Sequence, residues 1–121
     1  MAKELEGDPQ AAPMARRLID EVDGLPSSVR DDASLLVTEL ISNAVIHGTG
    51  TDKVSVETEV SGSKLRVEVT NPGWEDVPHL KDPDPLDPDG RGMILVDRLS
   101  DAWGVDVLDD ERLKMWFELS L

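Results

Sequence analysis

The sequence predicts an α+β fold in which helices cover one face of a mainly antiparallel sheet. Two observations carry that reading. Apolar residues recur at helical spacing along 11–22 and 28–47, and with period two along 54–60 and 65–69. The strand-like runs then fall into two neighbouring pairs joined by short polar turns, which makes each pair a hairpin.

Taken in order, the first nine residues are polar and read as loose chain or a short edge strand. Ala11 to Val22 reads as a helix, with Met14, Leu18, Ile19 and Val22 on one stripe, closed by Gly24-Leu25-Pro26. Ser27 or Ser28 is suited to cap the next helix, with Asp31 and Asp32 in its first turn, where the dipole favours acids. That helix runs to His47 on the apolar face Ala33, Leu36, Val37, Leu40, Ile41 and Ala44, and Gly48 suits its C-terminal cap. Val54–Val60 and Leu65–Val69 alternate on either side of Ser61-Gly62-Ser63, and Asn71-Pro72-Gly73 ends the second strand. A stretch rich in proline and acid follows and reads as a lid over about residues 74–92. Met93–Leu99 reads as a short helix. Trp103–Leu108 and Leu113–Leu119 read as a final hairpin turning at Asp109-Asp110-Glu111.

The chain of 121 residues is read as one domain, 1–121. It has no cysteine, which excludes disulfides and thiolate metal sites. No apolar leader opens it and no window approaches the ~20 apolar residues of a membrane span, so the expected location is the cytoplasm. Twelve Lys and Arg against 26 acids give a net charge of −14, which argues against nucleic acid or an anionic membrane as partner.

Two short motifs carry chemistry. Glu39 and Asn43 stand four residues apart in a helix, hence on one face, about 6 Å apart along the axis. Gly90-Arg91-Gly92 opens the run Met93–Leu99, and helix mouths fronted by glycine suit phosphate because bare N–H groups and the dipole point at the ligand. A carboxylate, an amide oxygen and a phosphate cradle together point to a magnesium–nucleotide site. Either motif alone is explained as well by a solvated helix face or a flexible helix start. The Asp-rich run before Gly90 is not a calcium loop, since Gly90 at the sixth position places Pro85 first and Val96 twelfth.

At these residues the chain resembles the GHKL ATPases (gyrase, histidine kinase, MutL). Glu39-x-x-x-Asn43-Ala44 is similar to their N-box, and Gly90-Arg91-Gly92-Met93 to their G2-box. The short length, Trp103-Gly104-Val105 and Met115-Trp116-Phe117-Glu118-Leu119 are similar to the stand-alone branch, the anti-sigma-factor serine kinases of the RsbW and SpoIIAB type. The resemblance spans about residues 12–119. It implies a Bergerat-type two-layer α/β sandwich, with ATP and Mg²⁺ as cofactors. It also implies that Asn43 ligates the metal and Glu39 orients or deprotonates the attacking hydroxyl. Asn71 and Gly73 would meet adenine, and Gly90, Arg91, Gly92 and Met93 would surround the phosphates. The implied activity is that of a serine/threonine kinase acting on an anti-anti-sigma (STAS) protein, with a sigma factor as second partner and a homodimer as assembly. Two departures keep another function open, a catalytically degenerate binding protein of the same fold. Asn71 stands where the family's G1-box usually has Asp. Glu111–Trp116 replaces a glycine-rich turn and a phosphate-contacting Thr, with Lys114 near the Thr position.

Overall fold

The computed structural model describes residues 2–47, 53–71, 91–108 and 112–121, with backbone only for 45–47 and 91–93. Among these, β1 (Ala2–Glu6) leads into α1 (Ala11–Asp20) and α2 (Ser27–His47), followed by β2 (Lys53–Ser61) and β3 (Lys64–Asn71). Then come α3 (Arg91–Leu99), β4 (Ala102–Val107) and β5 (Leu113–Ser120). The strands form one sheet in the order β1-β2-β3-β5-β4, every pairing antiparallel. The sheet is therefore five-stranded. Of the two readings of the N-terminus, the edge strand holds: Leu5 pairs with Val54 and is buried.

Alternation decides the layers. Leu65, Val67 and Val69 on β3, and Leu113, Met115, Phe117 and Leu119 on β5, all face the helices and are buried. The helices answer with Ala15, Leu18 and Ile19 from α1, the whole predicted stripe of α2, and Val96 from α3. Each large side chain removed from water contributes roughly 1.5–3 kcal/mol, so this single core dominates stability. The lid expected at 74–92 and the cap expected at Gly48 lie outside the described residues, apart from 91 and 92.

Two details of the helices differ from expectation. Helix α2 begins at Ser27, and its first bond runs from Arg30 N–H to the Pro26 carbonyl, 2.9 Å. The serines therefore sit inside the first turn instead of capping it, and Asp31 and Asp32 fall beyond it. Arg30 does a different job. Its guanidinium donates to the carbonyls of Ile19 (2.9 Å), Asp20 (3.0 Å) and Val22 (2.8 Å). These carbonyls lie at and just beyond the end of α1, where Ile19 also accepts from the Val22 N–H at 3.1 Å, and their capture locks the α1–α2 corner.

The opposite face of the sheet carries no described helix. Arg66 reaches Glu68 (2.9 Å) and Glu118 (3.0 Å), and Lys114 lies 3.6 Å from Glu68. Burial opposes the Arg66 charge, but its hydrogen bonds to the two glutamates outweigh that cost and hold its pKa above the ordinary value. The same guanidinium stacks 4.1 Å from the centre of the Trp116 ring. Trp116 in turn lies over its cross-strand partner Gly104, where an added Cβ would stand 2.7 Å from the ring. Trp103, on the other side of β4, packs against the core. Both tryptophans are thus packing residues.

We expect Arg30→Ala to lower stability by about 1–3 kcal/mol, or about 5–10 °C in melting temperature, with Arg30→Lys recovering only part of it. Thermal and urea denaturation read this directly. Gly104→Ala is expected to cost about 1–3 kcal/mol by overpacking, because Arg66 holds the ring from behind. A shift in tryptophan emission should accompany the loss.

Candidate functional site

The rotational setting of α2 places the first motif. With Leu36, Leu40 and Ala44 against the sheet, Glu39 and Asn43 emerge on the flank of the helix, both half-buried. They lie neither in the core nor in open solvent. Among the described residues no group of three or more His, Cys, Asp or Glu forms a metal cage. The donors on this flank, one carboxylate and one amide oxygen, fit Mg²⁺, which takes one or two protein ligands and fills the rest of its shell with water and phosphate.

Helix α3 packs against α2. It starts at Arg91, two residues earlier than the apolar run suggested, so Arg91, Gly92 and Met93 form its first turn. The N–H groups of that turn lack intrahelical acceptors, as an anion cradle requires. Gly90 and Gly73 lie outside the described residues, as do the side chains of Arg91 and Met93. The far end of α3 is anchored. Ser100 Oγ donates to the Val96 carbonyl at 2.5 Å, and Trp103 Nε1 donates to Asp97 at 2.8 Å. The Asp101 carboxylate accepts from both the hydroxyl and the backbone N–H of Ser120. Those two bonds, the hydroxyl's first, hold the Asp101 pKa below the usual carboxylate range.

Asn71 ends β3 on the core-facing side of the strand and is 2% exposed. Its Nδ2 donates to the carbonyl of Ala44, 2.9 Å away and 27 residues earlier in the chain. The strand carrying the expected adenine contact is thereby joined to α2 beside Asn43. The spacing of the motifs gives no hint of this link. The parity of β3 does, because an Asn in phase with Leu65, Val67 and Val69 must be buried and so must be hydrogen-bonded.

Lys114 does not join the group. It lies on the helix-free face beside Glu68, across the sheet from α2. An open cavity of about 770 Å³ also lies on that face, edged by Lys3, Lys53, Glu57, Glu68 and Lys114. Its mixed charges mark no anion site, and none of the motif residues reaches it.

Helices on one face of an antiparallel sheet, with α2 packed on β3 and α3 packed beside α2, define the GHKL type of α/β sandwich seen in RsbW-like domains. The family model for the histidine kinase-like ATPase domain matches residues 5–117. The chain belongs to that family. The fold is similar to the crystal structure of the RsbU and RsbW domains of Rv1364c from Mycobacterium tuberculosis, with a TM-score of 0.74 at 17% identity. That match covers 100% of this chain and 32% of the other, so this chain spans about a third of its neighbour. No curated protein matches by sequence. No described helix is long and apolar enough to cross a membrane.

The Asp101 anchor has a pH signature. A carboxyl whose pKa is lowered by folding stabilises above its unfolded value, about 3.9, and that stabilisation is lost as pH falls through the folded value. The stability deficit of Asp101→Asn at pH 7 should therefore narrow below about pH 4, as followed by urea midpoints across pH.

Proposed function

We propose that this protein is an ATP-binding regulator, an anti-sigma-factor kinase that phosphorylates a Ser or Thr of a small STAS protein. The observation that supports it best is the shared half-buried flank of Glu39 and Asn43, on a helix paired with the glycine-led helix α3. Membership of an ATPase family supports nucleotide binding, and the RsbW-containing neighbour supports a partner-switching role. In this reading the nucleotide lies between α2 and the segment before α3. The first turn of α3 receives the phosphates, with Gly90, Arg91, Gly92 and Met93 around them. Asn43 would hold Mg²⁺ through its amide oxygen, and the metal would supply charge neutralisation for the phosphates. Glu39 accepts the proton of the acceptor hydroxyl as that oxygen attacks the γ-phosphorus of ATP and the bond to the departing ADP breaks. A sigma factor is the second partner, sequestered by binding, and the cytoplasm is the setting. The homodimer belongs to the same proposal.

One observation favours a second reading, a binding protein without turnover. Position 71 offers adenine no carboxylate, and its amide is engaged by Ala44. A charge-assisted bond is worth about 1.5–3 kcal/mol against about 0.5–1.5 for a neutral one, so the affinity sacrificed is about five- to thirty-fold.

Two measurements decide. Calorimetric titration with ATP and ADP should show binding strengthened by Mg²⁺ and weakened in Asn43→Ala; a flat trace at millimolar nucleotide defeats the ATP-binding reading. Transfer of labelled phosphate to a STAS protein should fall by about a hundredfold or more in Glu39→Ala while nucleotide affinity is kept. Binding without transfer by the wild-type protein selects the second reading.

A further inference from the structure

We infer that Asn71 is a positioning residue for the metal side of the site: it clamps the last turns of α2 and thereby sets Asn43, instead of serving chiefly as a contact for the base. The inference rests on the nucleotide reading above and deepens it.

The carbonyl of Ala44 lies in the last turn of α2, which ends at His47, where side chains from other elements can reach it. Ala44 is itself 1% exposed, so water does not serve its carbonyl freely. Asn71 supplies a donor to it from the end of β3, at 2.9 Å. The contact is thus a side-chain cap delivered by the strand, and it fixes the turn that bears Asn43, one residue before Ala44.

The residue type follows from the same geometry. A carbonyl oxygen faces position 71, so the atom meeting it must carry hydrogen. An amide does; an ionised carboxylate does not. The C-terminal end of a helix also carries partial negative charge, which repels an anion and accepts a neutral donor. At 2% exposure a carboxylate here would be buried, facing an acceptor, at the wrong end of a dipole. The departure from Asp at this position is therefore explained by what Asn71 does for α2. A single residue cannot donate to Ala44 and also present a full charge to a base.

A clamp of this kind acts on metal binding as outer partners do when they orient a ligand, where their removal costs about 10–100-fold in affinity for the metal. The test separates it from a base contact. Nucleotide affinity is measured by calorimetry for ADP, with and without Mg²⁺, on the wild-type chain and on Asn71→Ala and Asn71→Asp. The expected result is that both variants lose about tenfold or more of the Mg²⁺-dependent gain. The Mg²⁺-free affinity of Asn71→Ala should stay within about twofold, well inside one tenfold step. Equal loss with and without Mg²⁺ assigns Asn71 to the base and overturns the inference; so does an unchanged Mg²⁺ gain. If wild type itself shows no Mg²⁺-dependent nucleotide binding, the nucleotide reading has failed and the inference falls with it.

Two further readouts do not depend on nucleotide or on the variants folding equally well. The chain has two asparagines and one glutamine, so only three side-chain amide pairs appear in a nitrogen-correlated NMR spectrum. The Asn71 pair should exchange with solvent at least about tenfold more slowly than that of exposed Gln10, as expected for a buried hydrogen-bonded donor. Exchange as fast as Gln10 overturns the clamp. In Asn71→Asp the buried carboxyl should titrate above its unfolded value. The melting deficit against wild type should then widen as pH rises from about 4. A deficit that does not change with pH also overturns it.

Discussion

Six apolar side chains fix the rotational phase of α2, and the rest of the molecule is arranged around that choice. Ala33, Leu36, Val37, Leu40, Ile41 and Ala44 are each no more than 1% exposed. A turn of one residue, 100° on a helix, would lift most of them from the core and cost several times the roughly 1.5–3 kcal/mol of one large side chain. No polar contact on the opposite flank approaches that sum, since a hydrogen bond is worth about 0.5–1.5 kcal/mol net. Glu39 and Asn43 therefore inherit their direction from the core.

The two faces of the sheet are built on different physics. The helix side is apolar and closed. The other side replaces a helical layer with long side chains: Trp116 over Gly104, Arg66 over Trp116, and glutamates on either side of the guanidinium. The edges differ too. On β1, Lys3, Glu4 and Glu6 put charge along the rim, the usual guard against edge pairing. On β4, Val105 and Val107 are exposed, the latter at 59%, with Asp106 between them. Every motif residue placed by the structure belongs to the helix side of this asymmetric sheet.

Much of this was legible in the chain. Helix α2 declared itself because its apolar stripe is long and uninterrupted, and β2, β3 and β5 because their alternation is strict. Strand β1 was left undecided because only Leu5 among its residues reaches the core, so pairing with β2, and not pattern, makes it a strand. The start of α2 was misplaced because two serines look like caps, whereas the Pro26 carbonyl already accepts the first bond. Helix α3 begins earlier than its apolar residues because packing on α2 overrides the poor propensity of Gly92. The i,i+4 spacing put Glu39 and Asn43 on one flank of α2, where both are half-buried. Asn71 was read as a turn former or a base contact, because its partner is a backbone carbonyl, and a carbonyl leaves no mark in a sequence.

That partner also bears on charge. A chain of net charge −14 is a poor host for a polyanion, and at ordinary salt it is the charge within about 10 Å that decides. An Asp at position 71 would add a negative charge at the already negative end of α2. The amide removes that charge and still closes the helix. Glu39 then stands as the acid of the α2 motif. On the nucleotide reading, what position 71 gives up in direct recognition it returns by lowering the repulsion a phosphate chain would meet and by holding the turn that bears Asn43. The substitution that most weakens the resemblance is thus the one best explained by the fold.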